Sequence, residues 1–225
     1  MFMPQVKLAI SHPWKLTPEG ATRLQRELAS GVVFSPLADD DIHTVGGVDV
    51  GFLQSNKVAR AAVVLFDYPA LEVVDQAVAE VPVAFPYIPG LLSFREIPAV
   101  LAALGNLKIL PDLLIVDGHG YAHPRRFGLA CHLGLILGKP AIGCAKSVLV
   151  GKYGTLDDAR GSVALLVDGG EIVGAAVRTR DVVKPVFVSV GHQVDLKSAV
   201  RIVLNCCAGY RLPEPARWAH RLASK

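Results

Sequence analysis

The chain is poor in the features that most readily announce a function. Its 225 residues hold four cysteines, Cys131, Cys144, Cys206 and Cys207. None forms a C-x-x-C pair and two are adjacent, which excludes both a zinc-ligand pattern and a disulfide framework. Thiols in a reducing cytoplasm are the expectation. No apolar run is long enough to span a bilayer, because Asp, Gly, Lys or Arg interrupts each one, so no membrane is expected as a partner. The opening Met-Phe-Met-Pro-Gln-Val-Lys lacks the charged-then-apolar layout of a secretion signal. There is no G-x-x-x-x-G-K-[ST] loop, no well-placed G-x-G-x-x-G and no G-x-S-x-G elbow, which argues against the common nucleotide-binding folds and serine hydrolases. Internal repeats and low-complexity segments are missing. Neither sign of charge dominates: 23 Lys and Arg stand against 20 Asp and Glu, for a net charge of +3. That balance permits nucleic-acid binding without requiring it, so the case rests on where the charges sit.

What the chain has in quantity is apolar residues, 52% of the total, with a mean hydropathy of +0.41. This is enough for a large core. No linker divides it, and one domain over residues 1–225 is expected. Thr17-Pro18-Glu19-Gly20 offers an N-cap with proline at the first helical position, predicting a surface helix over Thr17–Leu28. Asp39-Asp40-Asp41 reads as solvated loop. Thr44–Phe52 alternates, with Val48, Val50 and Phe52 on one face and Gly47, Asp49 and Gly51 on the other. Strands over Val58–Phe66 and Leu71–Val83 follow after short turns, predicting an antiparallel meander. A stiff Phe85-Pro-Tyr-Ile-Pro-Gly90 leads to a helix over Leu91–Leu104 with Leu101, Ala102 and Leu104 inward. Further strands are predicted at Leu113–Asp117, Pro140–Cys144, Val163–Val167, Ile172–Val177 and Val186–Val190. Helices are predicted at Phe127–Leu137 and at Lys197–Cys207, the second capped by Asp195 and ended by Gly209. The tail from Leu212 to His220 reads as a proline-stiffened arm.

This order predicts an α/β fold of the ribonuclease H-like kind: a mixed sheet with three antiparallel strands followed by parallel strands, flanked by helices. In that layout the first and fourth strands are neighbours, so Asp49 and Asp117 meet near the centre of the sheet. Leu113-Leu-Ile-Val116 is a short apolar run of the kind buried on both faces, and ligands gather at the carboxyl ends of such strands. Two converging carboxylates repel unless a cation joins them, and oxygen donors without thiols suit Mg²⁺ or Mn²⁺. His119, His123, Arg125 and Arg126 crowd the next turn. Lys146, in Ile142-Gly-Cys-Ala-Lys-Ser147, ends a buried strand, where it can meet a carboxylate or a phosphate. Glu96 has two readings: a functional acid, or the reaching-back member of a Ser93-Phe-Arg-Glu96 capping box.

Five segments in order give the chain a family resemblance: Gly47-Val-Asp-Val-Gly51, Pro86-Tyr-Ile-Pro-Gly-Leu-Leu-Ser-Phe-Arg-Glu96, Val116-Asp-Gly-His-Gly-Tyr-Ala-His-Pro-Arg125, Gly143-Cys-Ala-Lys146 and Ser189-Val-Gly-His192. Together they resemble the endonuclease V family of deoxyinosine-directed repair nucleases, over about Thr44 to Val194 and into the tail. The resemblance implies a Mg²⁺-dependent endonuclease, with Mn²⁺ able to substitute. Asp49, Glu96 and Asp117 would be metal-binding catalytic carboxylates, with Lys146 and His220 as further catalytic residues. Tyr87 would be the wedge that fills the gap left by an everted base, and Gly90, Leu92 and Gly118 would line the pocket that takes the base. His123 and Arg125 would complete the DNA-binding set. This chain has Ile97-Pro98 where the family pattern has Gly-Pro. The partner implied is DNA containing deaminated bases, cut at the second phosphodiester 3′ to the lesion; separately from the resemblance, a cytoplasmic monomer is expected. The alternatives are an inosine-directed ribonuclease, another ribonuclease H-like repair nuclease, or a lesion-binding module without catalysis.

Overall fold

In the computed structural model, residues 6–225 are described; Met1–Gln5, on which the reading of the opening segment partly falls, lie outside them. Eight strands form one mixed sheet, β1 (Thr44–Leu53), β2 (Val58–Asp67), β3 (Val73–Pro82), β4 (Leu113–Val116), β5 (Ala141–Ala145), β6 (Val163–Asp168), β7 (Glu171–Val177) and β8 (Val186–His192). Their spatial order is β3-β2-β1-β4-β5-β8-β7-β6. The meander β1-β2-β3 is antiparallel, β4 joins β1 in parallel, and β5 joins β4 in parallel. Beyond β5 the sheet turns antiparallel again through β8, β7 and β6. The expected neighbours, first and fourth strand, are therefore paired, in a register that sets Val48 against Val116.

Helices cover both faces. α2 (Leu92–Leu104) and α3 (Leu129–Leu137) pack over one, where Val48, Val63, Leu114 and Val116 meet Ile97, Val100 and Leu133. α4 (Leu196–Asn205) and α5 (Glu214–Ala223) cover the other, where Val45, Ile115 and Ile142 meet Ile202, Val203 and Ala216. Among the described residues no helix is long and apolar enough to cross a membrane.

Local signals were legible where the cap chemistry was simple. α1 (Pro18–Ala29) starts at Thr17, whose Oγ1 accepts a hydrogen bond from the Gly20 N–H at 3.1 Å. α4 starts at Asp195, whose Oδ1 accepts from the Ser198 N–H at 2.7 Å, but it ends at Asn205, before Gly209 is reached. Four expectations need correction. Ala102 is exposed on α2 and its neighbour Ala103 takes the inward place. Asp39–Asp41 is a 3₁₀ turn whose first residue is bound by Tyr68 and Arg201, not a free loop. The capping box fails: the N-cap of α2 is Leu91, and the Ser93 hydroxyl is bonded to His132 Nδ1 at 2.9 Å. Finally, the tail is the helix α5, because Pro213 and Pro215 fall at its N-cap and first turn, where a missing N–H costs nothing.

Two glycines let α5 lie directly on β1. A Cβ at Gly47 would sit 1.9 Å from the Pro215 carbonyl oxygen, and one at Gly51 would sit 2.4 Å from that of Ala223. Backbone blocks both positions, so relief requires lifting the helix. Gly47→Ala is expected to destabilise the fold by about 1–3 kcal/mol through overpacking. Urea unfolding measures this, and an unchanged midpoint would show that α5 is not seated as described.

Candidate active site

Asp49 lies between those glycines on β1, and Asp117 follows the last residue of β4. The Asp117 N–H continues the parallel ladder by donating to the Val48 carbonyl at 2.9 Å, which fixes the two acids side by side. Asp49 Oδ1 accepts from the Val50 N–H at 2.8 Å, leaving Oδ2 for other partners. α5 brings His220 over the strand, with Nδ1 2.6 Å from Asp49 Oδ2 and 3.9 Å from Asp117 Oδ2. Lys146, one residue past β5, donates from Nζ to Asp117 Oδ2 and lies 3.3 Å from His220 Nδ1. Its carbonyl is held in turn by Arg211 Nη2 at 2.6 Å.

Asp49, Asp117 and His220 each offer a ligand atom, and these atoms lie within 4.8 Å of one another. Glu96 is not in that tight group. It comes from α2, is 6% exposed, and is close enough for both aspartates to act on it electrostatically. Burial first, then the charges of Asp49 and Asp117, hold its carboxyl well above the usual range. Burial and the Asp49 charge also raise Asp117, while Lys146 and His220 pull it back. Acid groups this crowded and this dry favour a positive charge among them. An oxygen-rich set with one imidazole and no thiol fits a hard divalent cation.

Beside the acids is a cavity of about 260 Å³ whose lining includes Tyr87, Gly90, Leu92, Gly118, His119 and His123. Gly118 and Ser147, also in its wall, are the residues next to Asp117 and Lys146, so cavity and acid cluster share one rim. Tyr87 is 70% exposed. It does not join the core pair Phe85 and Phe94, whose ring centres are 5.6 Å apart. His123 Nδ1 accepts from the Arg125 N–H at 3.1 Å, which leaves Nε2 to donate to the Gly90 carbonyl at 3.0 Å. Burial, with the Arg125 charge second, lowers its pKa to about 4, and burial does the same to His119.

Asp49, Asp117, Lys146 and His220 thus gather with Glu96 nearby, and Tyr87, Gly90, Leu92, Gly118, His119 and His123 line the cavity, while Arg125 and Arg126 lie outside its lining and are engaged by other groups. Arg126 is paired with Asp168 at 2.9 Å and Glu171 at 2.7 Å on the β6–β7 hairpin. Arg125 is bonded to Gln25 and to the Gly90 carbonyl. Gln25 and His119 in the cavity wall were missed as cavity residues. His119 Nδ1 is buried without a partner. Only its place in the Asp-Gly-His-Gly run could have pointed to it.

Comparison with known proteins gives the family. The family model described as Endonuclease V matches residues 26–221. Endonuclease V of Gloeobacter violaceus is 54% identical over 224 residues, covering 98% of this chain and 90% of that protein. The crystal structure of endonuclease V from Streptomyces avermitilis is 47% identical, with a TM-score of 0.90 over 96% of this chain and 95% of its own. That of Ciona intestinalis endonuclease V, bound to a 24mer DNA containing an inosine followed by a ribo-adenosine, is 28% identical, with a TM-score of 0.79 over 90% and 94%. The fold is ribonuclease H-like, and the family match makes the chain a nuclease. The chain belongs to the endonuclease V family.

The raised pKa of Glu96 has a consequence for stability. The folded chain binds this proton more tightly than the unfolded one, so the contribution is full below the unfolded pKa and is lost as pH rises through the folded value. Glu96→Gln removes that loss. In metal-free protein, its melting temperature is expected to fall less than that of wild type as pH rises from the ordinary carboxylate range upward. Parallel melting curves across that range would contradict the burial of a strained acid at this position.

Proposed function

We propose that the protein is a Mg²⁺-dependent DNA repair endonuclease directed at deaminated bases, chiefly deoxyinosine, with Mn²⁺ able to substitute. The observation that carries this reading is the shared rim between the acid cluster and the cavity. A nuclease that finds its lesion by everting the base needs a phosphate site and a base site one nucleotide step apart. The cavity, about 260 Å³, is smaller than the roughly 300–1,000 Å³ of drug-sized ligand sites, which suits a single base. Inosine DNA bound to the Ciona relative supports the same substrate.

In this reading Asp49, Asp117 and Glu96 would hold the cation, with His220 beside Asp49. A bound divalent ion supplies charge neutralisation at the phosphate and a more acidic water. Lys146 now satisfies Asp117. From this position its ammonium would steady the scissile phosphate or the attacking water. Water attacks phosphorus and the P–O3′ bond breaks, leaving 3′-hydroxyl and 5′-phosphate ends at the second phosphodiester 3′ to the lesion. Tyr87, exposed and framed by Pro86 and Pro89, slides into the gap in the stack, a contribution of about 1–3 kcal/mol by analogy with base–aromatic contacts. A mispaired inosine costs less to evert than a normal pair. Gly90, Leu92 and Gly118 receive the base largely through main-chain groups, with His123 and Arg125 behind them.

A second reading, cleavage of inosine in RNA, is favoured by the ribo-adenosine that follows inosine in the strand bound to the Ciona protein. Matched inosine-containing DNA and RNA oligonucleotides, incubated with and without Mg²⁺, separate the two. The DNA reading expects a metal-dependent nick one nucleotide beyond the lesion's own 3′ phosphate in the DNA. Cleavage confined to the RNA would overturn it.

Two variants test the assigned roles. Asp117→Asn should abolish nicking while leaving inosine binding largely intact; near wild-type nicking in Mg²⁺ would remove Asp117 from the metal site. Tyr87→Ala should leave the melting temperature nearly unchanged, given its exposure, and weaken inosine-duplex binding about 5- to 150-fold, the stacking contribution above expressed as affinity. An unaltered affinity would leave the wedge without support.

A further inference from the structure

Gln25 sits on α1, in a helix whose sequence reads as surface, yet it is 1% exposed. Its side-chain amide is fully used. Nε2 donates to the Gly90 carbonyl at 3.0 Å and to the Phe127 carbonyl at 2.6 Å, while Oε1 accepts from Arg125 Nε. Only this orientation fits, because a flipped amide would set its oxygen against two carbonyls and its N–H groups against a guanidinium.

The Gly90 carbonyl is the point on which this network converges. It accepts from Gln25 Nε2 at 3.0 Å, from His123 Nε2 at 3.0 Å and from Arg125 Nη2 at 2.7 Å. A carbonyl oxygen has two lone pairs, so three donors leave it no capacity for a ligand. Gly90 adopts φ +79°, which turns the carbonyl toward these donors, and a Cβ there would lie 2.6 Å from Arg125 Nη2. At the same rim, Leu92 and Ser93 occupy the first turn of α2, where N–H groups have no partner within the helix. At this rim the Gly90 carbonyl is therefore spent as an acceptor while first-turn N–H groups remain available, and His119 Nδ1, elsewhere in the cavity wall, has no partner among the described residues.

We propose that Gln25 is a positioning residue that withdraws the Gly90 carbonyl as an acceptor and so sets the cavity for 6-oxopurines against 6-aminopurines. The inference rests on the cavity being the seat of the everted base, as proposed above. A 6-oxopurine such as hypoxanthine presents an acceptor at C6, which the free N–H groups can meet. Adenine presents an amino donor there, and at this rim its natural main-chain partner is already spent. Removing Gln25 takes away one donor from Gly90 and also the anchor of Arg125, which supplies another.

The test is the ratio of nicking between inosine and adenine duplexes mixed in one reaction, for wild type, Gln25→Leu and Gln25→Glu. Because both duplexes meet the same preparation, partial unfolding of a variant cancels from the ratio. Metal-free binding anisotropy on the two duplexes and the melting temperature complete the set. Gln25→Leu is expected to lower the inosine-to-adenine ratio about tenfold, the equivalent of one hydrogen bond of about 1.4 kcal/mol, with the binding ratio falling in parallel. Gln25→Glu keeps a partner for Arg125, so His123 and Arg125 still fill the two lone pairs of the Gly90 carbonyl, and it should lower the ratio less than Gln25→Leu does. Variants that melt earlier yet keep the wild-type ratio would reduce Gln25 to a structural residue and overturn the proposal. A wild type without preference for inosine would overturn the functional reading itself, and this inference with it.

Discussion

Two carboxylates that should repel are held side by side by the backbone of the sheet. The parallel pairing of β1 with β4 sets Val48 beside Val116, and the next residue on each strand is an aspartate. Much of the surrounding structure accommodates that placement. Lys146 at the end of β5 and His220 from α5 bring positive or proton-donating groups to it. Gly47 and Gly51 open the surface of β1 so that α5 can approach closely enough for His220 to arrive. Glu96, from the helix on the opposite face, adds a third acid whose burial disfavours its charge. Such a site is poorly stabilised alone and well suited to a cation.

The second element of the site is polar order around a main-chain group. The loop carrying Tyr87 is fixed between prolines at one end and through the Gly90 carbonyl at the other. Three side chains from two distant segments, α1 and the turn after β4, hold that carbonyl in place. This leaves an exposed aromatic ring on a stiff support next to a cavity of base size. A recognition element of that kind loses little entropy on binding.

How much of this the sequence carried follows from the range of the interactions. The β1–β4 pairing was legible because alternation along β1 and the apolar run of β4 are local patterns, and strand order followed from the succession of elements. The α5 helix was hidden by Pro213 and Pro215, although Ala216, Ala219 and Ala223 keep a helical spacing and are buried. Glu96 matched a capping box by spacing alone, while three-dimensional packing gave Ser93 to His132. The antiparallel return of β8, β7 and β6 depends on pairings between segments far apart in the chain. Gln25 was invisible for the same reason: its partners lie 65 and 102 residues away. The pairing of Arg126 with Asp168 and Glu171, on a hairpin more than 40 residues on, likewise leaves no local pattern.

The central claim is that Asp49 and Asp117 share one cation. Anomalous scattering from a crystal of the protein soaked in Mn²⁺ tests it most directly. The account predicts a peak between these two carboxylates, within reach of Glu96 and lost in Asp117→Asn. A fully occupied peak elsewhere, with the aspartates still bound only to Lys146 and His220, would contradict it.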